Sequence, residues 1–110
     1  MYDVFKLPVF EKRVNKLLSK KEIEEVNKFI EQLKINPKIG KPLSYPFLRE
    51  KRLKDKRIYF LLYKEICIVL LVSVSDKKSQ QETINEIKLY LEEYKEFVYQ
   101  LYDKIKKEKL

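Results

Sequence analysis

Two apolar runs, Arg57–Tyr63 and Ile66–Val74, lie side by side near the middle of the chain, parted only by Lys64-Glu65. Both are rich in Ile, Val, Leu, Tyr and Phe. Two such runs joined by a short polar turn predict a β-hairpin. A further strand is expected at Leu48–Leu53, with Asp55-Lys56 as the tight turn into the hairpin, whose second strand extends to about Ser75. Ile58, Phe60 and Leu62 alternate with Tyr59, Leu61 and Tyr63; Ile68, Leu70 and Val72 alternate with Cys67, Val69 and Leu71. Both faces are therefore apolar, and a sheet of this kind must be covered on both sides. One cover is a helical hairpin. The other is the C-terminal helix, a second copy of the chain or a partner peptide.

Upstream, Tyr2–Leu7 alternates as a short strand and Pro8 is suited to the first turn of a helix. Phe10, Val14, Leu17 and Leu18 form one helical stripe within Val9–Leu18. Ser19-Lys20-Lys21-Glu22 has the spacing of a capping box. It opens a second helix that carries Ile23, Val26, Ile30 and Leu33 to Asn36-Pro37, where proline stops it. Ile39–Phe47 holds the only glycine and two of the four prolines, and reads as a loop. After a second box, Ser79-Gln80-Gln81-Glu82, apolar residues recur at helical spacing from Ile84 to Ile105. That run predicts one helix of about eight turns. The expected architecture is α+β: a small, mainly antiparallel four-stranded sheet, an N-terminal helical hairpin and a long C-terminal helix. It forms one domain over residues 1–110, with 97–110 as a projecting helical extension.

Composition adds a strong charge. The 110 residues carry a net charge of +8, and the pI is about 9.4. Such a balance suits nucleic acid, an anionic membrane surface or an acidic protein, and also a plain solvated surface. The charge is concentrated at Arg49, Lys51, Arg52, Lys54, Lys56 and Arg57, against only Glu50 and Asp55. These cations precede and open the hairpin, so one rim of the sheet should be positive and suited to phosphate. Histidine is missing altogether, which removes imidazole acid–base chemistry and His-containing metal sites. Neither a metal nor a cofactor is expected; there is no glycine-rich phosphate loop. The single cysteine, Cys67, excludes an intrachain disulfide and is expected to be a buried, inert thiol. No 18-residue apolar stretch or signal-peptide pattern is present, so the expectation is a cytoplasmic protein without membrane contact.

The order strand, helical hairpin, Asn-Pro loop, three antiparallel strands and terminal helix resembles the RelE/ParE toxin superfamily. So do the local segments Asn36-Pro37-Lys38-Ile39-Gly40-Lys41-Pro42-Leu43, Leu48-Arg49-Glu50-Lys51-Arg52-Leu53 and Tyr59-Phe60-Leu61-Leu62-Tyr63, with the exit turn Val72-Ser73-Val74-Ser75-Asp76-Lys77-Lys78. The resemblance covers about Tyr2 to Glu93. It implies the toxin of a type II toxin–antitoxin system, a metal-free mRNA endonuclease that inhibits translation, often on the ribosome, and is held inactive by an antitoxin protein. The alternative is a non-catalytic homologue that binds nucleic acid or a protein partner, gyrase-type inhibition included. A third option is an interaction module that forms a homodimer through the C-terminal helix. In the nuclease branch an arginine tends to occupy the strand position aligned with Phe60, another the exit turn at Lys77, and a tyrosine the helix position aligned with Thr83.

Metal-free RNA cleavage needs a group to take the 2′-OH proton, cations to stabilise the phosphorane, and help for the leaving 5′-oxygen. The candidate catalytic residues are Lys51, Arg52, Lys54, Arg57 and Lys77. Lys51 or Lys54 serves as the base, since crowded lysines depress one another's pKa. Arg52, Arg57 and Lys77 grip phosphate, arginine with a bidentate fork. Arg49, Lys56 and Lys78 are expected to bind the nucleic-acid backbone, and Tyr45 to stack on a base. The competing reading is that these cations form a solvated strand edge that discourages edge-to-edge pairing.

Overall fold

The computed structural model describes residues 1–108. Its elements are β1 (Asp3–Lys6), α1 (Pro8–Leu17), α2 (Lys20–Ile35), β2 (Lys41–Leu43), β3 (Tyr45–Leu53), β4 (Lys56–Tyr63), β5 (Ile68–Asp76), α3 (Gln80–Leu89) and α4 (Leu91–Glu108). The sheet has five strands in the order β1-β5-β4-β3-β2. β1 runs parallel to β5, and the other pairs are antiparallel. The expected four-stranded sheet is thus a five-stranded mixed one. The additional strand, β2, lies inside the stretch read as a loop, where Lys41 pairs with Glu50 and Pro42 with Arg49. Three residues are too few to show alternation, and proline is tolerated there because β2 is an edge strand.

The two apolar faces form separate cores. On one, Ile58, Phe60 and Leu62 of β4 meet Val69, Leu71 and Val74 of β5 under Phe10, Val14, Val26, Phe29 and Leu33 of the helical hairpin. On the other, Tyr59, Leu61 and Tyr63 with Ile68, Leu70 and Val72 meet Ile84, Ile87 and Val98. A β-bulge lets both faces stay apolar: Ile58 pairs with Val74, yet Phe60 pairs with Leu71, so β5 inserts one residue opposite Tyr59. That insertion puts Val72 and Val74 in different cores. Without it the strict alternation read from β4 would not match β5 beyond Leu71.

The helical hairpin forms as its spacing predicts. Pro8 occupies the first turn of α1. Ser19 and Glu22 close a complete capping box at the start of α2. The second expected box does not form. Ser79 makes no side-chain cap; instead the Asp76 carboxylate accepts from the Ser79 N–H at 2.8 Å and the Thr83 hydroxyl donates to the Ser79 carbonyl at 2.8 Å. The expected single C-terminal helix is two. α3 ends at Leu89; the Tyr90 N–H reaches back to the Ile87 carbonyl, and α4 starts afresh from the Tyr90 carbonyl. The bend brings Val98, fully buried, onto the second core with Leu91, Tyr94, Tyr99 and Tyr102 beside it. The Tyr99 hydroxyl donates to Glu65 at 2.8 Å and ties α4 to the β4–β5 connection. Of the expected extension 97–110, Val98, Tyr99 and Tyr102 therefore lie against the second core, Asp103 to Glu108 are mostly exposed, and 109–110 fall outside the described residues. Cys67 departs from its expected burial. It is exposed, with a left-handed backbone (φ 54°), because a short 3-10 turn over Lys64–Ile66 delays β5. No helix among the described residues is long and apolar enough to cross a membrane.

Candidate nucleic-acid interface

The short β2 covers only part of the β3 edge. Beside it lies an open groove of about 910 Å³ between the end of α2 and the outer half of β3. Phe29, Gln32 and Ile35 of α2, with Asn36 just beyond it, form one wall; Glu50, Lys51 and Arg52 of β3, Arg57 of β4 and Gln80 of α3 form the other; Gly40 and Lys41 lie at one end. Gly40 has to be glycine. Its φ is +86°, and a Cβ there would stand 2.6 Å from the Glu50 carbonyl oxygen. Arg49 fixes the same turn from below: its guanidinium donates to the carbonyls of Lys38 (2.7 Å), Gly40 (3.1 Å), Ile39 (3.3 Å) and Pro46 (3.3 Å). Arg49 thus shapes the groove end, with its N–H groups already engaged by the loop.

Strand pairing decides which cations reach the groove. Arg52 opposes Arg57 and Glu50 opposes Tyr59, so Glu50, Arg52 and Arg57 share the α3 face. Lys51 points to the other face, its Nζ 5.5 Å from the Phe29 ring centroid. The groove wraps the edge and collects both sets. Arg57 and Glu50 form its buried polar part. Arg57 Nε lies 3.4 Å from Glu50 Oε1, with side-chain exposures of 6% and 8%. Arg57 also donates to the Lys54 and Lys56 carbonyls at 3.0 Å each. The second side of the Glu50 carboxylate accepts from Gln80 Nε2 at 3.0 Å. Nearby, the Tyr59 hydroxyl is paired with Ser75 at 2.8 Å, and burial pushes its pKa up against the opposing pull of that hydrogen bond.

Of the expected catalytic residues, Lys51, Arg52 and Arg57 come together in this groove, with Arg52 exposed and Arg57 buried against Glu50. Lys54 does not line it. It occupies the β3–β4 turn with a left-handed backbone (φ 49°) and contributes its carbonyl to Arg57. Lys56 is half-buried and pairs with Asp55 at 3.2 Å; that hydrogen bond, first among several causes, holds the Asp55 carboxyl below the usual range. Lys77 and Lys78 are exposed and line a second hollow of about 440 Å³ with Leu43, Gln80 and Lys88. Tyr45 is exposed at the far end of β3, stacked on Phe47. Phe60 is fully buried in the first core, and Thr83 is buried with its hydroxyl bound to Ser79. Sequence reading missed Glu50 and Gln80. The signal available for Glu50 was a lone acid inside a cationic strand at a position alternating with Arg52; nothing in the sequence points to Gln80.

No protein-family model matches this sequence, and no curated protein matches it. Solved structures do. A double mutant of Escherichia coli RelE in the free state superposes with a TM-score of 0.66 at 19% identity, over 79% of this chain and 95% of that one. The fold is that of the RelE toxins. The archaeal RelE–RelB complex from Pyrococcus horikoshii OT3 gives a TM-score of 0.60 at 17% identity, over 69% of this chain and 94% of that one. The Mycobacterium tuberculosis RelBE2 toxin–antitoxin complex gives 0.58 at 22%, over 68% and 90%. The superposed part thus amounts to between 68% and 79% of the chain.

Proposed function

We propose that this protein is the toxin of a type II toxin–antitoxin system and acts as a metal-independent endoribonuclease on mRNA. The observation that carries the reading is the cationic groove beside the partly covered β3 edge of a RelE fold, lined by Lys51, Arg52 and the Arg57–Glu50 pair. A phosphodiester seated there meets the exposed Arg52, whose fork stabilises negative charge as it grows on phosphorus, while the buried Arg57 holds the Glu50 carboxylate in place. The Glu50 carboxylate accepts the proton of the 2′-OH. O2′ then bonds to phosphorus and the P–O5′ bond breaks. Lys51 gives a proton to the departing O5′, leaving a 2′,3′-cyclic phosphate and a 5′-hydroxyl. Lys77 and Lys78 hold the backbone outside the groove. The partner expected for this chain is an antitoxin, as RelB is for the RelE proteins crystallised with it, and the setting is mRNA on the ribosome.

A second reading has specific observations in its favour. The positions where the nuclease branch tends to carry arginine and tyrosine are here filled by buried Phe60 and by Thr83, whose hydroxyl is already bonded. The Arg57–Glu50 pair is also mutually neutralised. Both features suit a groove that binds RNA or a protein without cutting.

Expression of the wild type beside Lys51→Ala/Arg52→Ala in growing cells, with mRNA ends mapped in each, separates the two. Arg57 is left in place because removing it would strand Glu50. Arrest with new mRNA ends, lost in the double variant, is the expected result. Normal growth with intact mRNA from well-expressed, folded wild type refutes cleavage and leaves the binding reading.

A further inference from the structure

Tyr45 and Phe47 form an exposed aromatic pair at the outer end of β3. Their rings stack at 5.1 Å between centroids and 12° between planes. They remain 41% and 39% exposed, whereas most other aromatic residues of the sheet are buried. Two large rings held together in water, at a strand end where a polar turn would serve, leave apolar surface exposed beyond their mutual stack. A cation accompanies them: Lys88 Nζ of α3 stands 5.9 Å from the Tyr45 ring centroid. Lys88, Lys77 and Lys78 line one hollow next to this pair, and Gln80 lines both that hollow and the Glu50–Arg57 groove. The two thus adjoin, with Gln80 as a shared wall.

From this placement we infer that Tyr45 and Phe47 form a base-stacking platform for a single-stranded RNA, with Lys77, Lys78 and Lys88 holding the phosphates between the platform and the groove. The inference rests on the proposed RNA-directed reading and adds the path of the strand. An aromatic face offers a flat, uncharged surface that any base can cover, while flanking ammonium groups match a phosphate repeat. An acidic protein segment would use the lysines but would leave the ring faces uncovered. A double helix would use the lysines too, but its base faces are already stacked.

The test uses a non-cleavable 2′-O-methyl oligouridylate of about twelve nucleotides, with inorganic polyphosphate as a probe of charge alone. The chain has no tryptophan, so Phe47→Trp supplies a single indole reporter. Its emission should be quenched by the oligonucleotide and not by polyphosphate. Tyr45→Ala/Phe47→Ala should weaken oligonucleotide binding about tenfold or more while polyphosphate binding stays unchanged. Tyr45→Leu/Phe47→Leu keeps apolar area without aromatic faces; it should weaken binding in the same way, with a melting profile that reports intact folding. Oligonucleotide affinity unaltered in both double variants overturns the platform and leaves the groove reading standing. Wild type that binds neither oligonucleotide nor polyphosphate overturns both.

Discussion

Replacing Glu50 by alanine leaves the Arg57 guanidinium buried beside two carbonyls with no counter-charge. Arg57 is 5% exposed, so water cannot take over the lost carboxylate. Breaking a buried pair from one side costs about 3–5 kcal/mol, while replacing both members by apolar residues of similar size is often close to neutral. Glu50→Ala should therefore lose several kcal/mol in urea unfolding, and Glu50→Met/Arg57→Leu should recover most of it. A Glu50→Ala protein as stable as wild type would show that the pair is not a buried unit. Glu50 is also where residue-level reading had most to gain. The cationic cluster was legible as a cluster, and Lys51, Arg52 and Arg57 do meet in one groove. That Arg57 faces inward to an acid, that Arg49 is held by a loop and that Lys54 turns away depend on strand register and a left-handed turn, which a list of charges does not carry.

At the scale of elements, the start of α3 hangs on Asp76. Its carboxylate accepts from the Ser79 backbone N–H, the first cause of a pKa held below the ordinary value of 3.8. The folded form thus binds the proton less readily than the unfolded chain. The stabilisation is present in full above the unfolded pKa and is lost as pH falls through the lower, folded one. Acid unfolding of wild type should show this contribution fading below about pH 4, and Asp76→Asn should flatten that part of the profile. An identical acid limb in both proteins would remove Asp76 from the account. The helical hairpin was legible down to its capping box, because Ser19 and Glu22 satisfy each other locally. The break at Tyr90 was not, since apolar spacing runs through it without glycine or proline. The break follows from packing: a straight helix would overrun the sheet, whereas the bend buries Val98 on it.

For the whole molecule, the net charge of +8 matters less than its placement. Lys51 and Arg52 line the groove, and Lys77, Lys78 and Lys88 line the adjoining hollow; together they are the proposed track for RNA. If single-stranded RNA follows that track, log affinity should fall against log salt with a slope of about −3 to −4, near 0.7 for each phosphate neutralised. Affinity measured with the 2′-O-methyl oligonucleotide between low and moderate salt checks this. A slope near zero would mean that binding, if present, does not use the track. The sequence alone determined the α+β class, the hairpin with two apolar faces, the helical hairpin and the positive rim, because each is written in local periodicity and composition. Only the tertiary structure decided the fifth strand and the parallel β1–β5 pairing. It also set the β5 bulge that keeps both cores apolar, and the groove in which Glu50 and Gln80 join the cations. Those features depend on which edges meet and in what register, and register is an agreement between distant segments that neither segment holds by itself.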